Sequence, residues 1–162
     1  MAKQSPGESG RSLIATNRKA RMNYQVLERI ETGIALLGTE VKSMRNHDVD
    51  LSAAFARIEN NEAILYDLHV KPYVFGHQFN HEPRRPRRLL LHRRELDKLM
   101  GKLSAAGRTL VPLSLYFNRR GLVKVDLALC QGRQRSDKRE ALRRKEAERE
   151  TRQAIARHTG RR

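Results

Sequence analysis

The chain has 162 residues, enough for one domain with a hydrophobic core. Its 34 Lys and Arg against 18 Asp and Glu leave a net charge of +16, which suits a polyanionic partner, either nucleic acid or an acidic membrane surface. No run approaches the roughly 18 apolar residues of a transmembrane helix, the first twelve residues lack the apolar centre of a secretory signal, and the single Cys130 excludes an intramolecular disulfide and argues against a cysteine-based zinc site.

Residues 1–12 are polar, with Pro6, Gly7 and Gly10, and are expected to be disordered. Asn17-Arg18-Lys19-Ala20-Arg21 then places three cations ahead of the first strand, as a basic helical turn or a solvated entry segment. Residues 24–31 read as a strand, Thr32-Gly33 as a hairpin turn in which Gly33 takes a positive φ, and 34–37 as the returning strand. Thr39 is the predicted N-cap of a short helix that projects Lys42 and Arg45 from one face as a rigid cationic ledge. Because the strand is expected to turn back at Gly33, this ledge is expected to lie beside the Asn17–Arg21 segment.

Residues 51–58 and 63–70 read as a second strand pair, with Ile64, Tyr66 and Leu68 on one face. Lys71-Pro72 ends it, since proline lacks the donor a ladder needs. The stretch 73–88 reads as a loop that mixes Tyr73, Phe75 and Phe79 with His77, His81 and four arginines. Tyr73 and Phe75 are expected to tuck onto the core, while some of Arg84, Arg85, Arg87 and Arg88 point to RNA. Residues 89–107 read as one long helix with Leu96, Leu99, Met100 and Leu103 on a buried face and Gly107 at its end.

The clearest hairpin joins 109–117 to 122–130 through Asn118-Arg119-Arg120-Gly121. Val123, Val125, Leu127 and Leu129 alternate with Leu122, Lys124, Asp126 and Ala128, so Lys124 projects from the outer face. Pro112 marks its strand as an edge or as interrupted. Residues 133–162 hold twelve Lys or Arg and five Asp or Glu, a net of +7. Leu142 and Ile155 are their only large aliphatics, too few for an apolar stripe. The tail is therefore expected to be unstructured alone and helical against a polyanion. The predicted architecture is mainly β: an OB-like, six-stranded antiparallel barrel over 13–132, a few helices, and the basic tail.

Several stretches together carry a resemblance. NRKARMNY at 17–24, ETGIALLGTEVKSMR at 31–45, NHEPRRPRRLLLHRREL at 80–96, LVPLSLYFNRRGLVKVDLALCQG at 110–132 and DKR at 137–139 make the chain resemble the SsrA-binding proteins (small protein B). The resemblance implies a barrel that binds the tRNA-like domain of transfer-messenger RNA, supports its aminoacylation and delivers it to stalled ribosomes. Elongation factor Tu and alanyl-tRNA synthetase are then met through the RNA. It also implies that Asn17, Arg18, Lys19, Glu31, Lys42, Arg45 and Lys124 contact RNA. Asp137, Lys138 and Arg139 are implied to act in the small-subunit decoding region, with the tail in the messenger channel. Arg21, Arg84, Arg87 and Arg133 complete the expected RNA surface. Two positions depart from the family pattern: Ser136 stands where many relatives have His before Asp-Lys-Arg, and His47 where many have Gly.

The competing reading is a basic ribosomal or ribosome-assembly protein that binds ribosomal RNA. An RNA-processing enzyme is disfavoured. Glu31, Asp67, His69 and His81 are not joined by metal-ligand spacing, a nucleophile motif or a phosphate-binding glycine loop. A monomeric cytoplasmic binding protein without cofactor or metal is expected, and the tail lacks the apolar face a membrane surface requires.

Overall fold

The longest strand runs straight through the expected turn. In the computed structural model, which describes residues 10–133 and 135–159, β2 (Tyr24–Ile34) is continuous across Thr32-Gly33. Gly33 pairs with Leu90 on one side and Lys124 on the other. A Cβ at Gly33 would come 3.1 Å from the Cβ of Leu90. Glycine is there for a close approach between strands, not for a positive φ.

The other elements, in chain order, are β1 (Ser12–Thr16), α1 (Arg18–Asn23), α2 (Gly38–Arg45), β3 (Val49–Asp50), β4 (Phe55–Glu59), β5 (Glu62–Tyr66), β6 (His69–Val70), β7 (Arg87–Leu90), α3 (Arg93–Leu103), β8 (Arg108–Phe117), β9 (Val123–Gly132) and α4 (Arg135–Thr159). Every strand pairing is antiparallel. The order β8-β4-β5-β7-β2-β9, with β9 returning to β8, makes a near-closed ring of six strands. The seam between β4 and β8 is narrow, a single pair at Ala56 and Leu110. β1 is added to the far edge of β8, and β3 pairs with β6 outside the ring.

The long hairpin forms as expected. Val123, Val125, Leu127 and Leu129 of β9 are buried in the main core with Leu65, Leu68, Leu110 and Leu115. The opposite face is also covered. Val111, Leu113, Ala128 and Cys130 pack with Ala20 of α1 in a second, smaller cluster, where burial pushes the Cys130 thiol up to about 11. Pro112 does not mark an edge, because β8 pairs on both sides; it does mark an interruption, a register shift between Pro112 and Ser114. Gly121, with φ of 74°, closes the hairpin loop, where the Asn118 carboxamide oxygen accepts from the amides of Arg120 and Leu122.

Three further expectations need correction. Residues 89–107 are not one helix. Arg87–Leu90 is strand β7, inserted between β5 and β2, and α3 covers only Arg93–Leu103. The ring supplies hydrogen-bond partners on both sides of the Leu-rich run, and the helix waits for His92, whose amide donates to Glu95 at 3.0 Å. Leu96 and Leu99 are buried, but Met100 is 41% exposed.

Strands β4 and β5 are shorter than expected, and the inward face of β5 carries Ala63 and Leu65, with Ile64 and Tyr66 facing out. Asp67, at φ 54°, breaks the alternation and returns Leu68 to the core. Finally, the helix α2 starts at Gly38, so Thr39 lies inside it; the amide of Leu37 donates to Glu40 at 2.8 Å.

Candidate nucleic-acid interface

Asn17 builds the first cationic element. Its carboxamide oxygen accepts from the amide of Ala20 at 3.0 Å, capping α1, and its nitrogen donates to the Leu51 carbonyl at 3.0 Å. The side chain is buried with both ends engaged, so it positions the helix. Arg18, Lys19 and Arg21 remain on the exposed face of α1.

Glu31 sits in a more elaborate setting. Cross-strand pairing places it opposite Asp126, with Arg29 opposite Ala128 and Gly33 opposite Lys124, so Arg29, Glu31, Lys124 and Asp126 share one outer face. Two carboxylates directly opposed repel, and cations compensate. Arg29 lies 3.7 Å from Asp126, and Arg11 donates to Glu31 Oε2 at 3.0 Å. The Tyr116 hydroxyl donates to the same Oε2, and the Arg11 guanidinium lies 4.7 Å above the Tyr116 ring.

Burial, reinforced by the Glu31 hydrogen bond and charge, pushes the Tyr116 hydroxyl above its ordinary range, so it stays a donor. Burial also raises the Asp126 carboxyl, against the pull of Arg29, Arg11 and Arg21. Both described bonds to Glu31 fall on Oε2, and its side chain is 45% exposed. A carboxylate held this way can accept a hydrogen bond through Oε1. Arg11 and Tyr116 were not among the expected site residues. Arg11 falls in the stretch read as disordered; of that stretch, residues 1–9 lie outside the described part of the chain.

The second cationic element is α2, and its anchor is internal. Glu40 is fully buried and accepts from Arg85 Nη2 at 2.6 Å, Arg85 Nε at 2.8 Å and Arg87 Nε at 2.8 Å. Burial alone would raise this carboxyl; the Arg85 and Leu37 hydrogen bonds and the Arg87 charge outweigh it and hold it below the usual value. Arg87, expected at the RNA surface, is also fully buried, and its remaining donors serve the carbonyls of Leu68, Arg85 and Pro83. An arginine with every donor spent inside the protein has none for phosphate. Arg84 is exposed, and Arg88 pairs with Glu62 at 3.0 Å.

Thr39 bonds to His81 at 3.1 Å, tying α2 to the 73–86 loop. Lys42 and Arg45 are exposed as expected, with the Lys42 ammonium 5.2 Å from the Tyr73 ring. Of the two aromatics expected on the core, Tyr73 is half-buried but Phe75 is 74% exposed, and Phe79 is 76% exposed. The chain beyond α2 meets β1 and the cap of α1 not through a turn at Gly33 but through contacts from His47 to the Ile14 carbonyl and from Asn17 to the Leu51 carbonyl.

At the base of the tail, the Arg133 amide donates to the Asn23 carbonyl. α4 then runs for 25 residues. Leu142 and Lys145 border a cleft of about 440 Å³ with Arg18, Arg21 and Met22 of α1. Arg139 is exposed, while the side chains of Asp137 and Lys138 lie outside the described residues. No grouping of three or more metal-ligating side chains occurs among the described residues, and no described helix is long and apolar enough to cross a membrane.

Comparison with known proteins gives this cationic surface a family. Residues 14–157 match the family described as "SmpB protein". An SsrA-binding protein of Moorella thermoacetica is 52% identical over 143 residues, 88% of this chain and 92% of its own length. One from Trichodesmium erythraeum is 53% identical over 156 residues, 96% of this chain and 98% of its own. A solved structure described as "tmRNA-SmpB: a journey to the center of the bacterial ribosome" superposes with a TM-score of 0.65 at 50% identity, covering 80% of this chain and 94% of the other.

Proposed function

The chain belongs to the SmpB family of SsrA-binding proteins, and we propose from that premise how its barrel and tail divide the work. It is a non-enzymatic protein of the bacterial cytoplasm that binds transfer-messenger RNA and acts with the ribosome in trans-translation. The six-stranded ring is an OB-like barrel whose outer face takes the tRNA-like domain. Arg18, Lys19, Arg21, Lys42, Arg45, Arg84, Lys124 and Arg133 supply phosphate contacts. Glu31 accepts from a base or ribose donor, since a carboxylate gains nothing from phosphate.

Asn17 and Arg87 hold these elements in place rather than touching RNA. The basic tail is disordered when free. It becomes helical in the messenger channel of the small subunit, with Asp137, Lys138 and Arg139 in the decoding region. The protein works as a monomer and meets elongation factor Tu and alanyl-tRNA synthetase through the RNA.

The observation that carries this reading is the single outer face on which Arg29, Glu31 and Lys124 stand together. Sequencing the RNA that co-purifies from cells tests it. A small stable RNA with a tRNA-like end is the expected product. Bulk ribosomal RNA alone would favour a ribosome-assembly role.

A further inference from the structure

Three large apolar side chains lie unburied within six residues. Val74, Phe75 and Phe79 are 81%, 74% and 76% exposed, in a chain with only eight Tyr and Phe and no Trp. Floppy loops often expose such groups incidentally, but this loop is tightly fastened. Asn80 clamps it by accepting from the Tyr73 amide and donating to the Tyr73 carbonyl, both at 2.8 Å. The Gly76 amide donates to the Tyr73 carbonyl and the Phe79 amide to the Gly76 carbonyl, each at 2.9 Å.

A Cβ at Gly76 would come 2.5 Å from the Asn80 carboxamide oxygen, so the clamp needs glycine there. His77 holds a positive φ of 43°, a strained backbone for a non-glycine residue. Just beyond, His81 is buried between Thr39 and the Val70 carbonyl and roots the loop on α2 and β6. The local bonds thus fix a conformation in which the apolar rings face water. Tyr73 meets Phe75 edge-on at 5.7 Å, and Lys42 lies over Tyr73.

Exposed aromatics beside a Tyr73 ring that carries a cation from the RNA-binding ledge suit one partner chemistry best: a polyanion with accessible π faces. An apolar protein surface covering the same rings would desolvate Lys42 without offering it a counter-charge. We propose that the 73–80 loop is a stacking platform for unpaired bases of transfer-messenger RNA, a contact separate in kind from the phosphate contacts of α1 and α2. The proposal rests on the RNA-binding reading above and adds to it a base contact that tolerates sequence.

Because the protein has no tryptophan, Phe75→Trp installs a unique fluorophore at the platform. Titration of the full-length variant with transfer-messenger RNA is expected to quench its emission. Phe75→Ala/Phe79→Ala is expected to bind that RNA about ten-fold more weakly, with a salt slope matching wild type, since stacking releases no counterions. Exposed positions leave the fold intact, which thermal melts verify. Wild-type affinity is measured alongside. If the wild type binds but the tryptophan is unaffected and the double variant binds equally well, the platform is refuted and the RNA-binding reading stands. Quenching seen with ribosomes or an apolar protein but not with the RNA likewise overturns it. If the wild type itself fails to bind, both readings fall.

Discussion

Glu31 shows how a single acid is made useful inside a basic protein. Tyr116 and Arg11 both bind its Oε2, so the described bonds hold one carboxylate oxygen on a side chain that is half-exposed. Tyr116→Phe keeps the ring beneath Arg11 and removes only the hydroxyl donor. It is expected to fold normally and to weaken RNA binding about five-fold, or roughly 1 kcal/mol. In a Glu31→Gln background the same change should add little, because the two act through one contact; additive losses in that double-mutant cycle would separate them. Glu40 is the opposite case, an acid with no surface role. Its carboxyl is held below the usual 4.5, so its contribution to stability is fully present above that value and is lost as pH falls through the folded pKa. Glu40→Gln is expected to cost about 3 kcal/mol by leaving the Arg87 charge buried and undercompensated. It should also flatten the acid limb of stability against pH; urea melts from pH 7 to pH 3 measure both effects, and an unchanged acid limb would contradict the assignment.

Among the elements, legibility followed how far away the deciding partner lies. The β8–β9 hairpin could be read because its period-two alternation is local and its turn carries its own Asn and Gly. The basic stretch at 18–21 reads in sequence as either a helical turn or a solvated entry segment; the structure decides for the helix, capped by Asn17 one residue before it. β2 was misread because Gly33 looks like a turn residue; its reason for being glycine is Leu90, a partner 57 positions on. β7 was misread because four residues of Arg-Arg-Leu-Leu carry no period, and only the strands on either side make them extended. Arg87 was misplaced because its carboxylate partner stands 47 residues earlier. Nothing near it in sequence distinguishes it from exposed Arg84. The corrected elements still present Lys19 on α1 and Lys42 on α2 to solvent. Lys19→Ala and Lys42→Ala are each expected to weaken RNA binding and reduce the salt slope by about one unit. Equal slopes in filter-binding measurements from low to high salt would remove the residue from the phosphate surface.

At the scale of the whole molecule, the barrel and the tail are built on different physics. The ring of six strands buries a continuous core. α4 carries large aliphatics at Leu142 and Ile155, both exposed, and meets the barrel through α1. A helix so placed gains little from packing, and packing of an amphipathic face is where most helical stability in proteins comes from. Its charge suits an RNA-lined channel, and that is where the ordering cost is offset. The two parts should therefore separate in function. The most direct measurement compares the chain ended at Gly132 with the full chain, scoring affinity for transfer-messenger RNA and rescue of stalled ribosomes in the same preparation. The account predicts nearly full RNA affinity with rescue abolished, and the same pattern when Asp137-Lys138-Arg139 are changed to alanine in the full chain. Full rescue by the shortened chain, or loss of its RNA binding, would contradict it.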